Sequence, residues 1–444
     1  VQVDSALLYV LGILVVVVGI AVSIGLHEIG HLVPAKLFGV KVGQYMIGFG
    51  PTIWSRRIGE TEYGVKALPL GGYISMAGMF PPLKPGGRAR TASTGFFQTL
   101  VQDARDASAA SVSRGDEERV FYRLPVFKRV LVMFGGPFMN LAIAVVLFAI
   151  LLMGFGLPQL STTIGSVSAC VLPATSERQE CVESDPLAPG AAAGIRPGDR
   201  LVSIGGAPVE GWEQATAQIR ESPGVPLDVV VERGGEEVAL TIEPLLTERY
   251  VLTEDGEIAT DADGNEITRQ VGFVGIGAAT ETVRQAPAAV VPMIAENVVG
   301  VANIILNLPQ RLVDVWNAAF SEAERDPNGP ISVVGVGRLA GEIASIDSAP
   351  VADRVASLIG LVGSLNVALF VFNLIPLMPL DGGHIAGALW EGLRRRLAKL
   401  FKRRDPGPVD TAKVVPLTFA VVLVLGGMSL LLIYADIVKP ISVF

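Results

Sequence analysis

The sequence predicts a polytopic α-helical membrane protein with four transmembrane helices and a small α/β or β-rich domain inserted between the second and third. Three observations carry this reading. Half of the 444 residues (50%) are apolar and the mean hydropathy is +0.50. Four runs lack any charged residue and are long enough to cross a bilayer, whose hydrocarbon of about 30 Å takes roughly 20 helical residues. Acidic and basic residues, finally, are segregated between the segments that separate those runs.

In chain order the uncharged runs are Ala6 to Leu26, Val130 to Leu157, Val355 to Leu380 and Val414 to Ala435. They divide the chain into a first span with its terminal motif (6–33), a loop (34–129), a second span (130–157), a large insertion (158–350), a third span (351–384), a basic loop (385–413) and a fourth span (414–438). The first run has no basic flank before it and carries a chemical motif, so it is read as a lasting span rather than a cleaved signal. From Pro34 to Arg129, basic residues outnumber acidic ones fourteen to seven. The loop after the third span carries Arg394, Arg395, Arg396, Lys399, Lys402, Arg403 and Arg404. Both loops are therefore expected in the cytoplasm. Gln159 to Pro350 holds 28 acidic and 11 basic residues, which places that segment, with both termini, on the extracytoplasmic side.

Within the insertion, 158–280 reads as the folded domain. Strand-like runs at Arg200 to Ile204, Leu227 to Glu232 and Glu237 to Ile242 accompany a helix-like stretch from Trp212 to Glu221. The remainder, 281–350, reads as amphipathic helix. A fifth span around Ala286 to Gln310 is set aside because Glu296 and prolines interrupt it and because it would put the two basic loops on opposite faces. Thr247 to Gln270 is polar. Its Asp261-Ala-Asp263-Gly-Asn265 resembles the start of a calcium loop, but the spaced glutamate is missing, and a turn between strands is expected instead. In the first loop, Tyr63 to Met79 reads as extended chain with an edge available for pairing, and Pro81 to Arg119 as poorly ordered. The two cysteines, Cys170 and Cys181, lie in the extracytoplasmic segment, where a disulfide is expected. A net charge of −8 argues against nucleic acid as a partner.

The chemistry begins at His27-Glu28-Ile29-Gly30-His31. In H-E-x-x-H on a helix, two imidazoles at i and i+4 share one face and can reach one metal ion, with the glutamate placed to take a proton from a metal-activated water. With three histidines in 444 residues, an accidental match arises in roughly one of a thousand such sequences. Ionisable groups at the end of an apolar span are functional by default.

A second constellation closes the third span: Asn373-Leu-Ile-Pro376-Leu-Met-Pro379-Leu-Asp381-Gly382-Gly383-His384. Two prolines and two glycines break the helix, and irregular backbone at that depth is tolerated where it lines a cavity or is buried in protein. Catalytic zinc takes three protein ligands and keeps one position for water, so either Asp381 or His384 can complete the set, and the spacing does not choose between them. In the second span, Gly135-Gly136-Pro137-Phe138-Met139-Asn140 offers small residues for close helix packing and one amide that needs a partner on the first or third span; Asn140 is read as scaffold.

HEIGH, GPFMN and NLIPLMPLDGGH together resemble the bacterial site-2 protease family, the RseP-like zinc intramembrane metalloproteases. Gly48 to Pro51 (GFGP) and Leu68 to Gly78 (LPLGGYISMAG) match its pattern, and Leu187 to Gly206 resembles a PDZ domain of the kind that family inserts between its second and third spans. The resemblance implies a zinc endopeptidase of the bacterial plasma membrane. In it one zinc ion is held by His27, His31 and Asp381, Glu28 activates the water, and His384 stands behind the ligands. Asn373 helps bind the unwound substrate, and the strand around Gly71 and Gly72 pairs with it. The implied substrates are single-span membrane proteins such as anti-sigma factors already trimmed by a site-1 protease. Two alternatives stay open, a membrane-anchored zinc peptidase acting on soluble peptides and a non-catalytic PDZ scaffold.

Overall fold

The structure, a computed structural model, describes residues 2–80, 108, 112, 116–172, 176, 178, 180–251, 253, 258–261, 265–321, 324–327, 329–409 and 411–441. In chain order its elements are α1 (Gln2–Leu37), β1 (Val42–Ile58), β2 (Thr61–Met76), α2 (Val126–Ala149) with a π-helical continuation (Ile150–Phe155), and β3 (Leu157–Val167). There follow α3 (Pro189–Ala192), β4 (Arg200–Ile204), β5 (Ala207–Pro208), α4 (Trp212–Glu221), β6 (Leu227–Arg233), β7 (Glu236–Ile242), β8 (Leu245–Tyr250), β9 (Thr268–Phe273) and β10 (Ile276–Val283). The rest is helical: α5 (Val290–Leu306), α6 (Leu308–Phe320), α7 (Val333–Ser345), α8 (Val351–Asn373), α9 (Asp381–Leu400) and α10 (Val415–Val438). Two compact units result, one of Val1–Phe155 with Gln285–Phe444, the other Gly156–Arg284.

The first unit is a helical membrane body. Among the described residues, five of its helical stretches are long and apolar enough to cross a bilayer: Ser5–Leu37, Val126–Phe155, Pro287–Leu306, Val351–Asn373 and Val415–Val438. Four correspond to the charge-free runs. Pro287–Leu306 falls where the sequence predicts an amphipathic helix, and by length and composition it also qualifies as a span. Its helix α5 packs on α2 and α8 and buries Val290 and Ile294. The Ser364 hydroxyl donates to Asn297 Oδ1 (3.0 Å). Elsewhere α7 lies along the first half of α1, joining Val336, Ala340 and Ala344 to Val16 and Leu358 in one buried cluster. On α10, Leu432 and Ala435 pack on Val315 and Ala319 of α6. Beside them Asp436 is buried, paired with Arg325 at 2.5 Å and accepting from the Ser332 amide at 2.6 Å.

Between α1 and α2 lies the hairpin, and its pairing begins at Val42, upstream of the Tyr63 to Met79 stretch. The first half of β1, Val42 to Ile47, runs between two parts of β2, Glu62 to Val65 on one side and Gly72 to Met76 on the other. Thr52 to Ile58 then returns along Thr61 to Lys66. Gly72 to Met76 is thus an edge, and among the described residues no strand pairs with its outer side. Most of Pro81 to Arg119, expected to be poorly ordered, lies outside the described residues; at its end Asp116 pairs with Lys41 (2.7 Å) and Arg119 with Glu60 (2.7 Å). These two ion pairs hold the Glu60 and Asp116 carboxyls below their ordinary range.

The second unit is a sheet in the order β10-β3-β4-β6-β7, with β5 against β4. The strand-like runs at Arg200 to Ile204, Leu227 to Glu232 and Glu237 to Ile242 appear as β4, β6 and β7, and Trp212 to Glu221 as α4. Alternation along β6 buries Val229 and Val231, and a register shift between Leu201 and Ser203 lets both Leu201 and Ile204 of β4 face inward; with Ile242 of β7 and Ala215 and Ile219 of α4 they form a single core. Asp199, 1% exposed, accepts from Arg233 Nε (2.8 Å) and Nη2 (2.7 Å) and from the Arg196 amide (2.8 Å). These bonds, with the guanidinium charge, hold its carboxyl below the usual carboxylate range. Thr247 to Gln270 forms the β8–β9 hairpin, with Asp261 and Asn265 closing a turn: the Asn265 amide donates to Asp261 Oδ1 (2.8 Å). Residues 262–264 of the calcium-like stretch lie outside the described residues. Cys170 and Cys181 form a disulfide.

Candidate metal centre

The centre is assembled from two helix ends. Helix α1 runs unbroken through the HEIGH motif, so His27 and His31 lie one turn apart on the same face. Opposite them stands Asp381. The three donor atoms form a nearly equilateral triangle: His27 Nε2 to His31 Nε2 is 3.2 Å, and each lies 3.3 Å from Asp381 Oδ2. A tetrahedral zinc ion with bonds of about 2.0 Å needs donors about 3.3 Å apart, so the triangle matches one face of its coordination shell. Asp381 Oδ2 is also buried without a hydrogen-bond partner, an arrangement that is costly unless a cation is bound there. The donor set of two imidazoles and a carboxylate suits zinc.

Both imidazoles are turned toward this point by α2. His31 Nδ1 lies 2.8 Å from the Val132 carbonyl oxygen, so it carries the proton and donates it, leaving Nε2 free to ligate. His27 Nδ1 lies 3.1 Å from the Asn140 side-chain amide. The near atom is Asn140 Nδ2; a ring that gives Nε2 to a metal carries its proton on Nδ1, and the amide then turns over so that Oδ1, otherwise buried without a partner, accepts. Asn140 therefore does more than pack: its partner is on the first span, as the sequence anticipates, and that partner is a candidate ligand. The approach of α2 depends on glycine. A Cβ on Gly30 would sit 2.2 Å from the Gly135 carbonyl oxygen, one on Gly135 would sit 2.0 Å from that of Gly30, and one on Gly136 would sit 2.2 Å from His31 Nε2.

Asp381 arrives by a different route. Helix α8 ends at Asn373, and the segment with Pro376 and Pro379 folds back against the start of α9. A Cβ on Gly382 would meet the Ile375 carbonyl oxygen at 2.3 Å and one on Gly383 the Met378 nitrogen at 2.6 Å, which is why two glycines follow the aspartate. Asp381 makes no cap bond; Leu380 is the N-cap residue and Asp381 opens the helix. His384 is not among the clustered donors. It lines a small cavity with Arg129 and Glu391, where the Arg129 guanidinium donates to Glu391 Oε1 (2.5 Å) and the Val409 amide to Oε2 (3.0 Å).

Glu28 is buried beside the triangle, and its Cγ would lie 3.0 Å from a Cβ on Gly72, so the start of the hairpin edge touches the motif glutamate. Gly71, at φ +142° with a Phe49 ring atom 2.3 Å from any Cβ, has no room for a side chain. Asn373 closes α8, partly buried. Three contacts escaped the sequence reading: the Val132 carbonyl, the Arg129–Glu391 pair, and Asn366, which donates to the Ser23 hydroxyl (2.9 Å) and joins α8 to α1. Of these, Asn366 carried a readable signal, the one Asn140 also carries: an amide inside an uncharged apolar span.

Known proteins resemble this chain in sequence. Residues 15–404 match the model of peptidase family M50. The zinc metalloprotease Rip1 of Mycobacterium tuberculosis is 34% identical over 448 residues, covering 99% of this chain and 100% of that protein. Rip1 of Mycolicibacterium smegmatis is 32% identical with the same coverage. The metalloprotease MmpA of Caulobacter vibrioides is 27% identical over 85% of each chain. With a matching family model over most of its length and full-length relatives that are zinc metalloproteases, this chain belongs to peptidase family M50, the site-2 proteases, and is a membrane metalloprotease.

Proposed function

We propose that this protein cleaves peptide bonds inside the membrane-spanning segments of single-span proteins, from a bacterial plasma membrane, with one zinc ion held by His27, His31 and Asp381. The observation that carries the reading is the position of the donor triangle, at the ends of two apolar helices rather than in a soluble domain. A zinc ion bound there supplies Lewis acidity toward a water and a peptide carbonyl.

The chain does the rest. Glu28 takes a proton from the attacking water on its carboxylate and passes it to the leaving amide nitrogen. Val132 and Asn140 hold the ligating rings in one tautomer and one orientation. A helical substrate hides its carbonyls in its own hydrogen bonds and has to be unwound first. The unpaired edge Gly72 to Met76 offers main-chain partners for an extended segment, and its first residue touches Glu28, so a strand added there passes the base. Asn373, the last residue of α8 before the broken segment, is read as helping to bind the unwound chain.

Helix polarity supports four crossings. His27 and His31 lie in the last turns of α1 and Asp381 just beyond the end of α8, so both helices run the same way, with α2 as the return between them. Residues 156–350 must then begin and end on one side. A crossing by α5 would require another back, and α6 and α7, 13 residues each, reach only about 20 Å. We accordingly read α5 as embedded without crossing, and the acidic insertion and both termini as extracytoplasmic. The sheet unit is read as PDZ-like, screening substrates that a first protease has already trimmed, anti-sigma factors among them.

The test is Glu28→Gln in the full chain. Zinc content stays at about one per chain, while cleavage of a reporter with a single transmembrane segment is lost. Unchanged cleavage would overturn the assignment of Glu28, and cut sites mapped only outside membrane segments would favour a peptidase of soluble peptides.

A further inference from the structure

The helix that begins at Asp381 has a second face. Around α9, His384, Ala388, Glu391 and Arg395 fall on one side, and Ala388 and Glu391 are buried, with Glu391 bonded to Arg129 of α2. The opposite side carries Leu389, Trp390, Leu393, Leu397 and Leu400, continued by Phe401, and these six are between 42% and 74% exposed. At 100° per residue they occupy one arc about 120° wide. Arg394 borders the arc on one side and Arg396 on the other. Among the described residues no carboxylate lies within ion-pair distance of either, or of Lys399, Lys402, Arg403 or Arg404, whereas Arg395 turns to Glu391 (3.1 Å) and Asp405 (3.5 Å).

An apolar arc left bare on a helix and edged by arginines on both sides does not suit water, and a lone apolar partner would leave the cations unmatched. It suits a layer that is apolar below and anionic above. Trp390 and the arginines are the side chains that settle at such a boundary, with the stems of Arg394 and Arg396 along the arc and the guanidinium groups raised to phosphate depth. We propose that α9 and residues 401–404 form a binding site for anionic phospholipid headgroups, with the Leu389 to Phe401 arc sunk to the acyl boundary of the leaflet. The occupant is lipid, because the charge surplus is wholly basic and only residues 401–414 separate the helix from the span α10. The site stands whether or not the chain cleaves peptides, and whichever way it faces. Its consequence for the metal centre is positional: the leaflet that seats α9 also sets the depth of Asp381 at its first turn.

The test uses the full chain carrying W54F, W212F and W316F, so that Trp390 is the remaining tryptophan, in vesicles mixing phosphatidylcholine with a minority of phosphatidylglycerol. Bromine is placed on the acyl chains of one lipid or the other, at equal mole fraction. Brominated phosphatidylglycerol is expected to quench Trp390 about twofold more strongly than brominated phosphatidylcholine. The preference should vanish in R394Q/R396Q/K399Q and persist in added inorganic phosphate. Equal quenching by the two lipids would overturn the anionic site. Absence of quenching by either would overturn the lipid seat altogether and leave a protein partner or a second copy as the cover. A nitroxide at L397C probes the seat without the tryptophan changes: greater access to oxygen than to a water-soluble nickel complex supports it, and the reverse refutes it.

Discussion

Helix α1 brings His27, Glu28 and His31 to the metal centre on 36 uninterrupted residues, with each ring already turned by a group on α2. Asp381 comes to the same point on a chain whose helix has stopped at Asn373, doubled back on itself and started again. One side of the site is stiff by local geometry. The other is fixed by tertiary contacts: glycines that admit the fold-back, and Glu391, two turns and more along α9, clamped to Arg129. Two candidate ligands are thus preset while the third depends on assembly, and substitutions can separate these contributions.

The largest effect is expected from Asp381→Ala. If the preset histidines alone held the ion, zinc would remain; the geometry instead predicts that bound zinc falls from about one per chain to near zero, read by elemental analysis of purified protein. Next comes the approach of α2. Gly136→Ala places a methyl group 2.2 Å from His31 Nε2 and should remove both zinc and cleavage, whereas Gly154→Ala, with nothing within 4 Å, should leave both intact. Asn140→Leu strips one orienting bond and keeps both ligands, so zinc affinity should fall about 10- to 100-fold in competition with a chelator. If Asn140 only packs, the affinity will not move.

The smallest effect lies outside the centre and shows what damage to the fold alone looks like. Because the Asp199 carboxyl is held below its ordinary range in the folded protein, its contribution to stability is complete above the unfolded value of about 3.9 and disappears as pH falls through the depressed folded value. Asp199→Asn should therefore unfold at a lower temperature than wild type at neutral pH, with the gap closing in acid. Zinc content at neutral pH should be unchanged.

What could be read in advance follows the same division. The H-E-x-x-H face is a property of helical periodicity and needs no neighbour, and the strands β4, β6 and β7 show in alternation over a few residues each. Asp381 and His384 both stand beyond the broken helix, and spacing could not choose between them; the fold-back decides which side chain faces the histidines. Val132 contributes a carbonyl oxygen, which every residue has, so no sequence pattern marks it. The Arg129–Glu391 pair joins residues 262 positions apart. Helix α5 is ambiguous for a further reason: its composition suits lipid, while Glu296, the prolines and the direction of its neighbours speak against a crossing.

The hydrogen bond from Asn366 to Ser23 stands one helical turn before His27. A single attachment between two helices leaves them free to pivot, while two attachments on different levels remove both pivoting and sliding. With Asn366 of α8 on one level and Asp381 at the start of α9 on the next, α1 is held at two points against the α8–α9 chain. A slip of one turn, about 5.4 Å, would have to break both at once. Under the proposed function, the scissile bond would then meet Glu28 and the donor triangle at a spacing that does not change, and the movement that admits a substrate would fall to elements outside those two attachments.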